Sequence, residues 1–399
     1  MTTDFTNAQM SDLIDFRHAL HRKPELSGEE HNTAHVVAER LKALQPDALV
    51  TGLGKWTEEN GDILGGTGIA AVFESGKDGP TLLFRCELDG LPIEELSTLA
   101  YRSVVKTKAH LCGHDGHMAI LLGLAMRLSL QRPAMGRVII LFQPAEETGK
   151  GARAVLADPA FAPLMPNYAF ALHNLPGVPL GTVQLKADAM CCASRGVRIK
   201  MEGKTSHASM PQDGKSPVEA LMKMVDGLNA LSNGLDAEQE LDEAYKLVTI
   251  THIRVGEPCF GVSPGTGELW ATLRTVTDAA MNELLGAVQD LAKAEAAQQG
   301  LAMRMDEDDV FDACTNHTMT TEMVAKALEA EGIAWAPQPD PMRFSEDFGQ
   351  FGQHCPATLF LLGSGLDQPQ LHNPDFDFPD SLIGIGAGIF ERIIREQLG

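Results

Sequence analysis

The chain has 399 residues, 44% apolar and 22% charged, an ordinary globular composition with room for two domains. Its net charge of −22, from 54 acids against 32 bases with no basic cluster, speaks against nucleic acid or an anionic membrane as partner. No apolar run approaches the roughly 18 to 20 residues of a membrane span. Met1-Thr2-Thr3-Asp4-Phe5 opens without the basic and apolar regions of a signal peptide, so a cytoplasmic protein is expected. Seven cysteines, scattered apart from Cys191-Cys192, fit a reducing compartment better than a disulfide framework.

Leu13, Ile14, Phe16 and Leu20 recur near helical spacing, and Pro24 closes that helix. Ser27-Gly28-Glu29-Glu30 opens a second helix, with Val36, Val37 and Leu41 on one side. Gly65-Gly66-Thr67-Gly68 reads as a turn before a strand over 69–73. A buried strand over 81–85 delivers Glu87 and Asp89 at its C-terminal end. A helix over 118–130 follows. A strand over 137–142 then ends at Gln143-Pro144-Ala145-Glu146-Glu147, and another over 168–172 ends at His173. Strands alternating with helices predict a mostly parallel α/β layer, with polar residues gathered just past the strands.

The pattern changes near residue 190. A strand over 192–202, an amphipathic helix over 216–231, strands over 246–255 and 268–276 and a long helix over 278–299 suggest a small α+β domain. The expected division is an inserted domain over 190–305 within a discontinuous domain of 1–189 and 306–399. A helix over 320–331, a strand over 357–362 and a closing helix over 380–397 complete the latter.

Cys112-Gly113-His114-Asp115-Gly116-His117 packs four possible ligands into six residues. Thiolate and imidazole suit zinc and other first-row metals, and on a glycine-containing loop Cys112 and His114 can face one ion. A buried cysteine and a surface histidine beside a turn are the structural alternative. Glu146-Glu147 can divide metal binding from proton transfer, although a bare Glu-Glu is more often a solvated pair. His173, and His372 in Leu371-His372-Asn373-Pro374, are each more often structural when taken singly. The argument rests on the set: strand ends and a late loop all carry ligand types, with Asp89 as a possible orienting group. His207, in Gly203-Lys204-Thr205-Ser206-His207, either acts on a substrate or is an ordinary loop histidine. Gly203-Lys204-Thr205 and Gly214-Lys215-Ser216 are no P-loops, because Arg198 and Ser209 stand where its first glycine is required.

These residues together resemble the M20 metallopeptidases, and within them the amidohydrolase branch of aminoacylases, hippurate hydrolases and auxin-conjugate hydrolases. The likeness runs in order along nearly the whole chain. Leu20-His21-Arg22-Lys23-Pro24-Glu25-Leu26 resembles the opening motif. Arg85-Cys86-Glu87-Leu88-Asp89-Gly90-Leu91-Pro92 is similar to the first site motif, with Glu87 where aspartate is usual. Cys112 to His117, Gln143 to Glu147, His173, His207, Ser345-Glu346-Asp347-Phe348 and Leu371 to Pro374 follow where expected.

The resemblance implies a zinc-peptidase-like catalytic domain with a mostly parallel central sheet, plus an inserted α+β lid and dimerisation domain. It implies two divalent metals, manganese or zinc with cobalt or nickel as further candidates, held by Cys112, His114, Glu147, His173 and His372. Glu146 would be the general base, Asp89 a support, Arg274 a grip for the substrate carboxylate, and His207 an oxyanion donor from the lid of a homodimer partner. Asp115 would support the site and His117 would lie outside the ligand set. The branch's Asn-Val-Ile-Pro stretch is here Gly261-Val262-Ser263-Pro264, and its Pro-His is Pro211-Gln212. Intact ligands beside an altered lid imply hydrolysis of an N-acyl amino acid or related small conjugate, with shifted substrate choice. A dipeptidase or carboxypeptidase of the same family is the alternative. Cys112 as a nucleophile paired with His114 leaves Glu147, His173 and His372 without a role, and the intact ligands oppose a non-catalytic binding protein.

Overall fold

The computed structural model describes residues 5–58, 60–234 and 240–399; most of the N-terminal leader reading falls on residues 1–4, outside them. The chain divides into two units, one of Met1–Asp188, Thr315–Pro339 and Asp347–Gly399, the other of Ala189–Cys314 and Asp340–Glu346.

The first unit is built on an eight-stranded, mostly parallel sheet. From one edge its strands are Ala48–Thr57, Ile63–Glu74, Arg137–Gln143, Thr81–Glu87, Tyr168–Pro176, Ala357–Gly365, Val183–Leu185 and Trp335–Pro337. The four central strands from Arg137–Gln143 to Ala357–Gly365 pair in parallel. Every residue of Thr81–Glu87 is buried, which is why it reads as a continuous run instead of an alternation.

The helix His114–Leu130 is buried on nearly all sides and packs against Leu382–Leu398, Asn7–His21 and Thr81–Glu87. Truncating Leu121 or Leu124 to alanine there should cost about 2–5 kcal/mol. The helix starts four residues before the sequence reading placed it. Gly113 caps it with φ +97°, and a β-carbon there would lie 2.1 Å from Asn174 Oδ1. Gly116 serves packing and not bending, because a β-carbon would meet the Phe378 ring at 2.3 Å.

Three further expectations are corrected. Gly65 and Gly66 lie inside the strand Ile63–Glu74, each at φ +72°, where its register with Ala48–Thr57 shifts. The glycines therefore make bulges within the sheet and not a turn before it. The strand bearing His173 runs on to Pro176. His173 pairs with Leu361 on one side, but on the other side pairing with Thr81–Glu87 stops at Ala171. It thus stands beyond one neighbour while held by the other. Val36 is exposed, so the second helix buries Thr33, Val37 and Leu41 instead.

The second unit carries a four-stranded antiparallel sheet in the order Lys246–Val255, Thr266–Thr275, Ala193–Glu202 and Ala302–Phe311. Val197, Ile199 and Met201 alternate inward and join a core with Leu221, Met224 and Leu228 of the helix Val218–Leu231 and Met281, Leu284 and Val288 of Asp278–Gln299. The last strand continues past 305, where the sequence reading closed this domain, and remains paired to Ala193–Glu202. Among the described residues no helix is long and apolar enough to cross a membrane.

Candidate active site

In the first unit, the loops after the parallel strands bring the expected ligand types together. Asp89 follows Thr81–Glu87, and Glu146 and Glu147 follow Arg137–Gln143. Cys112 precedes the helix cap, His114 is the first residue of that helix, and His173 projects from Tyr168–Pro176. The ligand atoms of Cys112, His114 and His173 lie within 4.8 Å of one another. So do those of Cys112, Glu147 and His372, and those of His114, Glu146 and Glu147.

The hydrogen bonds fix the imidazoles. His114 Nδ1 donates to the Asp89 carbonyl at 2.9 Å, and His173 Nδ1 donates to the Asn174 carbonyl at 2.8 Å. A carbonyl only accepts, so each neutral ring keeps its lone pair on Nε2. His173 Nε2 lies 3.3 Å from Cys112 Sγ. Among the described residues the buried His114 Nε2 has no hydrogen-bond partner, and it lies 3.9 Å from Glu146 Oε2 and 3.8 Å from Glu147 Oε1. His372 Nε2 reaches to 3.7 Å from the same Glu147 oxygen.

The charges around the site attract a cation, which at His114 would take the place of a proton on Nε2. Burial opposes an imidazolium at His114, but Asp89, Glu87 and Glu147 outweigh it and hold its pKa up to about 10. Burial, with His117 adding to it, pushes His173 down to about 3. Burial and then Glu147 and Glu146 push the Cys112 thiol well up. A buried, carboxylate-rich pocket with two preset imidazole lone pairs and a thiol is the donor chemistry of a divalent cation site. Cys112, His114, Glu147, His173 and His372 therefore fit the metals that the resemblance implies.

Supporting groups surround the donors. Asp89 is fully buried, and its Oδ2 accepts from the Glu147 N–H at 3.0 Å and from Ser27 Oγ at 2.7 Å. Asp347 N–H donates to Glu146 Oε1 at 3.5 Å. Asp115 accepts from His21 Nδ1 at 2.9 Å and from Arg17 at 3.2 Å, which ties the helix start to the opening motif. His117 lies 2.7 Å from both Glu87 Oε2 and Asn174 Oδ1, so both its ring nitrogens are engaged. Ala145 and His372 have φ of +49° and +65°, two left-handed non-glycine residues bordering the site.

The sequence reading passed over Arg85 as a working residue. It is buried and pairs with Glu87 and Asp347, while Gln143 Nε2 donates to both Asp347 oxygens at 2.9 Å. An arginine inside an apolar strand was the available signal, because such a charge requires buried carboxylates.

His207 and Arg274 belong to the second unit. His207 is exposed on the short strand Ser206–His207, which pairs with Val262–Ser263. Its Nδ1 accepts from Ser209 N–H at 3.1 Å, so the neutral ring carries its proton on Nε2. Arg274, half-buried on Thr266–Thr275, donates from one nitrogen to the Arg343 carbonyl and to Ser345 Oγ, each at 3.0 Å.

The chain is similar to known proteins along nearly its whole length. The profile of Peptidase family M20/M25/M40 matches residues 83–396. N-acetyl-L-cysteine deacetylase of Bacillus subtilis is 29% identical over 93% of this chain and 84% of its own. Hippurate hydrolase of Campylobacter jejuni is 27% identical over 96% and 95%. The solved structure of Bacillus subtilis YxeP, a dinuclear metal-binding peptidase of the M20 family, shares the fold with a TM-score of 0.79 over 99% of both chains, at 24% identity. The chain belongs to peptidase family M20 and is a hydrolase of amide bonds.

Proposed function

We propose that this enzyme removes the acyl group from an N-acyl amino acid or a related small conjugate. The observation that carries the reading is the pair of His114 and His173 lone pairs converging with Cys112 beside Glu146 and Glu147. The names of the two relatives, a deacetylase of N-acetyl-L-cysteine and a hippurate hydrolase, support an N-acyl amino acid as substrate.

Cys112, His114, Glu147, His173 and His372 would hold two divalent ions. Zinc suits the thiolate, manganese is the family expectation, and cobalt and nickel accept the same donors. Bound there, such ions lower the pKa of a water and polarise the amide carbonyl. Glu146, buried beside His114, takes the attacking water's proton and passes it to the leaving nitrogen. Asp89 holds the backbone of Glu147 and the ring of His114 at once. The exposed His207, its proton on Nε2, donates to the developing oxyanion, and the Arg274 fork takes the substrate carboxylate. A homodimer formed through the second unit, and a cytoplasmic location, complete the proposal.

The test is a screen of the zinc- and manganese-loaded enzyme against acetyl, benzoyl and indoleacetyl amino acids and dipeptides. Turnover of the N-acyl amino acids, abolished by a chelator and restored by metal, supports the reading. Turnover of dipeptides alone would replace it with the dipeptidase.

A further inference from the structure

Glu30 has no exposed surface and no part in the chemistry above. Its Oε1 accepts from the backbone N–H groups of Gly28 and Ala145, each at 2.8 Å, and its Oε2 accepts from Thr67 Oγ1 at 2.8 Å. Ala145 is the residue immediately before the Glu146-Glu147 pair. It is buried, and its φ of +49° is one that a β-carbon disfavours. That dihedral sets the direction in which the two glutamates leave the strand Arg137–Gln143.

The same N-terminal segment reaches the other side of Glu146. Ser27 Oγ donates to Asp89 Oδ2, and that oxygen accepts from the Glu147 N–H. The amides of Ala145 and Glu147, flanking Glu146, are thus each held by a buried carboxylate. We propose that Glu30 is a positioning residue for the amidohydrolase reaction: by holding the Ala145 N–H it keeps the left-handed turn that aims Glu146 and Glu147 apart. The role rests on the functional reading of those two glutamates. Burial, together with Asp89, pushes Glu30 up to about 7, and a protonated carboxyl keeps an accepting oxygen for Ala145. Glutamine offers the same acceptor, and its NH2 can donate to Thr67 Oγ1.

The experiment compares E30M and E30Q with wild type by steady-state kinetics on the best N-acyl amino acid, and by calorimetric titration of the metal-free proteins with manganese. E30M should lose about 10- to 100-fold in kcat with KM within about threefold, because misaiming the base by an ångström costs that much. Its manganese affinity should fall about tenfold or more as Glu147 drifts. E30Q should stay within about threefold of wild type in both readouts. The role is overturned if E30M keeps wild-type kcat and an unchanged manganese isotherm, or if E30Q falls as far as E30M. Should E30M fail to fold, T67V takes its place, since it loosens the same carboxylate from its outer side. A three- to tenfold loss of kcat at constant KM then supports the role, and wild-type kcat overturns it. The manganese titration reads the turn even where no N-acyl amino acid is cleaved. Failure of the substrate reading and failure of the positioning role therefore remain distinct.

Discussion

The donor cluster of the first unit and the ribbon of the second are built on opposite terms. Cys112, His114, Glu146 and His173 are buried, and the two imidazoles are tethered to backbone carbonyls. Around His207 the ribbon has two residues per strand, Val262 is exposed, and Phe260 is fully so. Two departures from the family pattern, Gln212 and Gly261, fall on exposed positions of this second region, whereas the one departure in the buried region, Glu87 where aspartate is usual, keeps its carboxylate. Among the described residues, a β-carbon on Gly261 would meet nothing within 4 Å. Where each side chain is held by several others, change is costly; where a residue touches little, sequence can drift and carry specificity with it.

The sharpest test of this contrast is E146Q. It should lower kcat by about 10²- to 10⁴-fold while leaving the melting temperature near wild type, as measured by substrate assay and calorimetry. Unchanged turnover would remove Glu146 from the mechanism and with it the basis for calling the first region the chemical one.

R85M should cost about 3–5 kcal/mol in urea unfolding, because Glu87 and Asp347 would be left buried without their cation. A loss below about 1 kcal/mol would show that the tight region is less interdependent than its contacts imply.

His21 gives a pH-dependent test. It is buried and faces Asp115, Glu95, Arg17 and the Tyr101 ring. Burial opposes its charge, but Asp115 and Glu95 outweigh burial and raise it to about 9. The folded pKa lies above the unfolded one, so the stability it contributes is fully present below about pH 6.5 and is lost as pH rises through about 9. Unfolding free energies of wild type and H21N should differ by on the order of 2 kcal/mol at pH 6, the gap closing by pH 10. A gap independent of pH would mean the ring contributes packing alone.

G261N should give the smallest change. Stability should stay within about 0.5 kcal/mol, while relative kcat/KM among acyl amino acids shifts. A large loss of stability would contradict the openness of the ribbon.

The sequence pointed to the residues of the site better than to their surroundings. Cys112, His114, Glu146, Glu147, His173 and His372 stood out because thiol, imidazole and paired carboxylates are rare at strand ends, and their order carried the family likeness. The long periodic helices, such as Asp278–Gln299, were equally plain. The strands Ala48–Thr57 and Ala302–Phe311 were missed because both lie at sheet edges and bury few residues, so no apolar alternation marks them. The helix start at His114 was missed because a glycine cap, a second glycine and three polar residues hide it. Glu30 and Arg85 gave no local sign of their distant partners, Ala145 and Thr67 for the one and Asp347 for the other, which meet them only in the folded chain.

The helix His114–Leu130 sets the proposed metal donor His114 at the tip of a rod buried on nearly all sides. Occupancy of the proposed site would thereby be coupled to cohesion of the whole first unit. An ion bound at about 1,000 times its dissociation constant adds about 4 kcal/mol to the folded state. A cell that runs short of the metal would then hold an enzyme that is both idle and easier to unfold, so supply of the ion would set how long each molecule survives as well as how fast it works.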